Sequence, residues 1–511
     1  MKNRVKDLFP NIPRSLLSVF LISFFVFLTV LLLPRVFLYS YNLPNLNNVK
    51  IFSYALVLAL IFGISTYSLG MSKLGRGRIG TWLINPIVIL MVAMLTRAIV
   101  MLIMGQDTNQ ISDFELAFYW SDNLPHLTAN HRIHSGWTLI LWIYRLFPTE
   151  MIAISVNILI TGLSAVLLYA CAVLAKLSPR VALLGALLFL LWPAHMFYTI
   201  ITSPEFYFVF FSLLSVLLAL LALESYKAGR KIIALILFII SGIILSIANF
   251  MTSVGILFII AFLILHIINT LSNRNKEAKL KLSFLSILSS KHTMIIIAIF
   301  MYFLTTSAVF AAMESYTGLT INRSSLPHQV YTGLTFGHWS VETSIYSGLV
   351  VEYAFDFDAA GRETYRRLLE FIQENQNLSV DFFLRHKLSM AWASDNYMAF
   401  VNATMNQGDV SALNLSYWVL AIRPFIHYYY KAMMILFALS VAIAFFKREN
   451  GFIPFNQLAL FGFMLALLIV EAQPRYKTVL YPSLAICAAY SIDSISVAVK
   501  NRLLRERKNS I

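Results

Sequence analysis

Three polar stretches in a strongly apolar chain carry the side chains that could do chemistry. The first, residues 105–135, reads GQDTNQISDFELAFYWSDNLPHLTANHRIHS. It gathers Asp107, Asp113, Glu115, Asp122, His126, His131, Arg132 and His134 in a chain of which charged residues make up only 12%. Ionisable groups are costly at membrane depth, so such a cluster abutting apolar segments is either a solvated loop or a working site. Asp113 is the candidate catalytic carboxylate, and Glu115 a candidate substrate-binding acid. In a helix over 112–120, Asp113, Ala117 and Trp120 share a face. A carboxylate beside aromatic rings suits a polyhydroxylated ligand: the acid accepts hydroxyl protons and the rings stack on C–H faces. Ser112-Asp113 before an apolar run also matches a helix N-cap, which is the structural alternative for the same residues.

The second stretch holds Trp192, Pro193, His195, Tyr198, Ser203, Pro204 and Glu205. Glu205 stands at the mouth of an apolar helix, where the N-terminal dipole also favours a carboxylate. His195 and Glu205 are candidate binding residues. The third holds Glu471, Gln473, Pro474, Arg475, Tyr476 and Lys477. Arg475 and Lys477 are cations at an expected outer boundary, against the usual orientation of positive charge. A guanidinium fork and an ammonium point charge both suit a lipid phosphate, with Glu471 and Tyr476 beside them. The competing reading of Arg475 is an interfacial cation that pairs with Glu471 and snorkels to water.

Two further segments frame these. TGLTFGHWS at 332–340 is a Gly-rich turn carrying His338 and Trp339, both candidate binding residues, and FFLRHKLSMAW at 382–392 is basic and aromatic, suited to a membrane surface. Between them, Asp358 is expected to cap a helix through TYRRLLEFIQEN, with Leu368 and Ile372 on one face and Arg366, Arg367, Glu370 and Glu374 toward water.

The elements that must position these groups follow from composition. The chain has 511 residues, 59% of them hydrophobic, and a mean hydropathy of +0.75. Its apolar runs are long enough to cross about 30 Å of hydrocarbon as helices, and they lack the short alternating segments of a β-barrel. The fold class is all-α and polytopic, with about twelve transmembrane helices (11–13). Expected spans fall near 15–34, 51–70, 81–104, 150–175, 181–197, 205–223, 232–249, 254–271, 293–312, 425–446, 456–471 and 478–498, with an interfacial amphipathic piece at 136–147. This divides the chain into an N-terminal membrane region over 1–312 that includes the outer loop 105–135, an extracytoplasmic region over 313–424, and C-terminal membrane helices with a basic tail over 425–511.

The net charge of +15 is distributed as membrane topology requires, so it argues for orientation and lipid contact and against nucleic acid as a partner. Basic short loops at Lys73 to Arg78, Lys176 to Arg180, 229–231, 272–292 and 447–448 all fall on one side when twelve spans are counted. Both termini are then cytoplasmic and the chemistry faces outward from a cell membrane. Cys171 and Cys487 sit inside apolar runs and read as core residues. There is no Walker A sequence, dinucleotide-binding Gly fingerprint, zinc-protease helix or serine nucleophile elbow. With little cytoplasmic chain to bind a soluble activated donor, an outward-facing enzyme needs one delivered by lipid.

The acidic outer loop with Ser112, Asp113 and Phe114, the turn from His195 to Glu205, and Glu471-Ala-Gln-Pro-Arg475-Tyr476 resemble the GT-C superfamily of membrane glycosyltransferases. The likeness is to the bacterial branch related to protein O-mannosyltransferases and aminoarabinose transferases, and it covers most of the chain from about 80 to 490. TGLTFGHWS and the stretch from Lys387 to Trp392 are similar to the outer domain of Gram-positive members. The chain departs from the mannosyltransferase pattern in having Asp113-Phe114-Glu115 where those have a paired Asp-Glu, and in carrying an additional early span. The resemblance implies GT-C-like architecture and an inverting transfer of a hexose or pentose from a polyprenyl-phosphate carrier to an extracytoplasmic glycan, lipid or protein acceptor. It implies Asp113 as base, Arg475 with Lys477 at the phosphate, and Glu205 and His338 orienting sugar or acceptor. No protein metal ligands are assigned; a divalent metal is compatible with this chemistry and is not required by it. Two other classes share the outward site and the lipid-linked ligand: a flippase or transporter of lipid-linked saccharide, and a polysaccharide polymerase. A transporter usually places polar groups at mid-membrane, whereas here they gather at the outer boundary; Arg97 within the third span is the exception and is assigned no role.

Overall fold

Proline and serine set where the central helices start. Pro179, Pro193 and Pro204 each occupy the first turn of a helix, a position where the missing N–H costs nothing. Ser178 and Ser203 stand just before two of them and accept from the backbone N–H groups of Val181 and Glu205. What reads in sequence as one span at 181–197 is therefore two helices, ending at a turn that carries His195.

In the computed structural model the described residues are 80–104, 136, 140, 143, 151–199, 203–273, 290–318, 326–335, 349, 352–353, 356–374, 387–393, 395, 410–449, 451–470 and 474–509. Among them the regular structure is entirely helical. A π-helical turn at Gly80–Ile84 leads into α1 (Asn85–Met104). Next come α2 (Met151–Leu174), α3 (Pro179–Leu190), α4 (Pro193–Tyr198), α5 (Pro204–Lys227), α6 (Lys231–Met251), α7 (Gly255–Asn273) and α8 (Lys291–Thr317). α9 (Leu326–Thr335), α10 (Phe357–Glu374) and α11 (Leu388–Trp392) lie in the expected outer region. α12 (Val410–Lys447), α13 (Phe452–Ile469), a 3-10 helix at Pro474–Leu480 and α14 (Tyr481–Asn509) complete the chain.

Eight described helices are long and apolar enough to cross a membrane, and Pro179–Leu190 and Gly255–Thr270 are shorter apolar helices. These ten match the third to twelfth expected spans; the first two, at 15–34 and 51–70, lie outside the described residues. The protein is a polytopic helical membrane protein. Helices satisfy their own backbone groups, which the bilayer interior demands.

Packing is closest where small residues let backbones approach. Gly185 of α3 lies against Ile486 of α14, and Gly242 of α6 lies against the Ala298 carbonyl of α8, with no room at either for a Cβ. The main core joins α2, α3, α5, α12, α13 and α14 through residues such as Tyr169, Phe189, Phe208, Tyr430, Met433 and Ile486. α9 docks Gly333 on the backbone at Val470, the C-cap of α13, and α10 packs on α9. The piece expected to lie at the interface is described only at Gly136, Ile140 and Ile143; all are helical, and Gly136 abuts Phe250.

Several boundaries differ from expectation. α10 is capped by Asp356, whose Oδ1 accepts from Ala359 N at 2.9 Å; Asp358 sits in the first turn, so the cap lies two residues before the one expected. The rest of that helix is amphipathic as anticipated, with Leu368 buried and Arg366, Glu370 and Glu374 exposed. α8 runs to Thr317 because the chain stays helical until Gly318, which takes the left-handed conformation (φ 67°) at low cost and ends it. α12 begins at Val410 and continues through Pro424; only Phe425–Lys447 of it is apolar enough to span.

Candidate active site

The chain leaves α3 through Leu191 and Trp192, whose N–H groups go to Leu187 O and Phe189 O, so the carbonyls of Leu188 and Leu190 find partners outside the helix. Long side chains from two other helices take them. Tyr429 OH of α12 donates to Leu188 O at 2.7 Å, and Arg97 Nη1 of α1 donates to Leu190 O at 2.5 Å. Arg97 also reaches Thr96 Oγ1 at 2.9 Å and His195 Nδ1 at 3.3 Å. The cation in the third expected span is thus committed to the His195 turn.

His195 is fully buried among Phe189, Phe206 and Tyr481, with ring centroids 4.8, 5.1 and 5.9 Å away. Arg97 has only donors to offer, so Nδ1 accepts and the ring proton belongs on Nε2. Burial, and then the Arg97 charge, hold the imidazole well below its ordinary pKa, so it is neutral. Nε2 meets no partner among the described residues, a buried donor available to a ligand oxygen.

Beside it lies a charged centre. Asp395, which follows α11, accepts from Trp192 Nε1 at 2.5 Å and from Tyr481 OH at 2.5 Å, and Lys477 Nζ lies 3.6 Å away. The Asp395 and Lys477 side chains are 1% and 0% exposed. Burial pushes the Asp395 carboxyl above the usual carboxylate range, opposed by Lys477 and the two donors. The Lys477 ammonium sits 4.2 Å from the Tyr430 ring centroid and 5.7 Å from that of Trp392. Trp192 stacks on Tyr481 at 4.2 Å with planes 15° apart. Tyr430 OH donates to Trp392 O at 2.8 Å, and Lys387 Nζ to Val470 O at 2.7 Å, which takes up a carbonyl at the end of α13.

Glu205 is buried in the first turn of α5. Its carboxylate accepts from Ser203 Oγ, which lies 2.8 Å from Tyr198 OH, and the Tyr198 and His195 rings both pack on Phe206.

Of the residues singled out in sequence, His195, Glu205 and Lys477 come together at this one end of the bundle. Tyr476 is half-buried against the main core, and Arg475 lies on the 3-10 helix one residue before it. Asp113, Glu115, His338, Trp339 and Glu471 lie outside the described residues. Asp395 was not anticipated; its only sequence signal is an acid two residues past the apolar-aromatic run LSMAWA. Tyr430 and Tyr481 carried none. Among the described residues no three His, Cys, Asp or Glu side chains gather to hold a metal ion.

Chemically, the site offers two cations, Arg97 and Lys477, offset by the buried carboxylates of Asp395 and Glu205, together with one neutral histidine donor and a face of stacked aromatic rings. That set of donors, acceptors and ring faces suits a ligand with hydroxyl groups better than a purely apolar one.

No protein-family model and no curated protein matches the chain. One solved structure aligns with it: the archaeal oligosaccharyltransferase AglB from Archaeoglobus fulgidus in complex with an inhibitory peptide and a dolichol-phosphate. The alignment covers 85% of this chain and 52% of that one, at 13% identity and a TM-score of 0.39. The chain thus spans about half the length of the structure it matches.

Proposed function

We propose that this protein is a membrane glycosyltransferase of the GT-C superfamily that moves a sugar from a polyprenyl-phosphate carrier to an acceptor outside the cytoplasm, with inversion. The observation that supports it is convergence: the His195 turn and the 474–480 segment, distant in sequence and selected independently for their chemistry, meet at one buried cluster of Arg97, His195, Asp395 and Lys477.

In this reading Asp113 removes the proton from the acceptor hydroxyl as it attacks the anomeric carbon, and the lipid phosphate departs carrying the bonding electron pair. Arg475 receives the phosphate charge. Lys477, tied to Asp395, fixes the turn that carries Arg475 and adds positive potential behind it. His195 Nε2–H and Glu205 orient sugar hydroxyls, and His338 and Trp339 face the acceptor.

The test is donor consumption from a panel of polyprenyl-phosphate sugars by the purified protein in lipid, comparing wild type with Asp113→Asn. The proposal expects wild type to consume at least one donor and a folded Asp113→Asn to fall by about a hundredfold or more, the usual scale for a lost general base. Movement of lipid-linked sugar across vesicles by both proteins, with no consumption by either, would replace the transferase with a transporter.

A further inference from the structure

At the opposite end of α5 from Glu205, helices α5, α6, α7, α8 and α13 enclose a cavity of about 310 Å³. Its walls are hydrocarbon-like, with Leu220, Leu245, Phe258, Phe262 and Phe455 prominent. Its two serines satisfy each other: Ser215 Oγ donates to Ser241 O at 2.8 Å and Ser241 Oγ to Ser215 O at 2.9 Å, so apart from Tyr302 on α8 the deep lining is apolar.

The mouth is different. Among the described residues Lys176, Lys227 and Lys291 line it, with one carboxylate, Glu224, bonded to Lys227 at 2.6 Å. Lys176 is held in the left-handed backbone region (φ 66°) after α2, where glycine would sit without the penalty of about 1 kcal/mol or more that a side chain brings. That turn sets an exposed lysine at the rim.

Depth selects the occupant. From Lys227 to Ser215 along α5 is about 18 Å at 1.5 Å per residue, a little over half of the roughly 30 Å hydrocarbon thickness. The groove therefore reaches from one membrane surface to near the midplane. A phospholipid chain fits that length, whereas a polyprenyl chain would overrun it. Positive loops place this mouth on the cytoplasmic side, where anionic lipid headgroups meet juxtamembrane lysines.

The geometry points to a binding site for an anionic phospholipid of the cytoplasmic leaflet, with one acyl chain in the groove and the phosphate among Lys176, Lys227 and Lys291. The site is separate from the proposed transferase centre and does not depend on it.

Native mass spectrometry of the full chain in detergent, with equimolar phosphatidylglycerol and phosphatidylcholine of identical chains, tests it. Phosphatidylglycerol is expected to be retained preferentially. Lys176→Gln and Lys291→Gln should each weaken its retention about fivefold relative to wild type. Ala219→Phe, which fills the groove without touching the rim charge, should lower retention of both lipids. Equal retention of the two lipids by wild type, or unchanged phosphatidylglycerol binding by a folded Ala219→Phe, overturns the proposal. Displacement of phosphatidylglycerol by equimolar undecaprenyl phosphate overturns the phospholipid assignment and gives the groove to the carrier. Should a lysine variant fail to fold, the wild-type lipid preference and Ala219→Phe still decide.

Discussion

Asp395 and Lys477 stabilise each other because both are buried. Breaking a buried ion pair by removing one partner costs about 3–5 kcal/mol, whereas replacing both with groups of similar volume is often neutral. Asp395→Asn is therefore expected to lower the thermal midpoint of the purified protein sharply. Asp395→Asn with Lys477→Met should recover most of the loss, and additive single and double effects would refute the coupling. His195 gives a pH signature. Burial and Arg97 hold its folded pKa well below 6.5, so below that pH the unfolded chain takes a proton that the folded protein refuses. Its contribution to stability is complete above about pH 6.5 and is lost as pH falls toward the lowered folded value, by at most about 1.4 kcal/mol per pH unit. Melting curves of His195→Gln should be flatter than those of wild type between about pH 7.5 and 5.5. His195, Glu205 and Lys477 were legible because each is a polar residue beside an apolar run. Asp395 was not, since what makes it unusual is Lys477, Trp192 and Tyr481 arriving from distant helices. Arg97 was visible as an oddity, but its partner is a backbone carbonyl at Leu190, which no residue type announces.

Among the elements, helix starts at Pro179 and Pro204 agreed with the sequence, and breaks, caps and ends inside or beyond an apolar run did not. Pro179 and Pro204 mark helix starts that hydropathy alone placed within two residues. Pro193 divided a run that hydropathy left whole, and the division is what creates the His195 turn. The cap of α10 went to Asp356 over Asp358 because a residue two positions earlier can reach the Ala359 N–H from outside the helix. Glycine contacts were also unreadable, since a glycine in an apolar run does not say which helix it meets. Gly242 is the sharpest case. A Cβ there collides with the Ala298 carbonyl, a backbone group that no rotamer change can move. Gly242→Val should separate α6 from α8 and destabilise the protein by about 1–3 kcal/mol, read as a lower thermal midpoint, while Gly451→Ala, with open space around it, serves as the control.

At the scale of the molecule, ten helices in the described residues follow the order that charge and hydropathy set out, and the orientation that goes with it is open to direct measurement. Cys171 and Cys487 are buried, so removing them with Cys171→Ala and Cys487→Ala leaves a background for single-cysteine labelling. In intact cells, an impermeant maleimide is expected to label Glu370→Cys on α10 and to spare Arg505→Cys at the end of α14; the reverse pattern would invert the topology and move the site inside. The deep placement of the cations has one more consequence. Dissolved salt weakens attraction between exposed charges, over a Debye length of about 10 Å at 0.1 M that shrinks to about 3 Å at 1 M. Arg97 and Lys477 are buried, the latter over the Tyr430 and Trp392 rings, so mobile ions screen them little. Under the proposed function, the potential they add behind Arg475 is therefore set by the protein and not by the medium: the KM for a polyprenyl-phosphate sugar is expected to stay within about twofold from roughly 0.05 to 0.5 M salt, where a purely surface-held anion would drift away. Under the proposed function, a carrier held by such a buried field stays bound whatever the ionic strength around the protein.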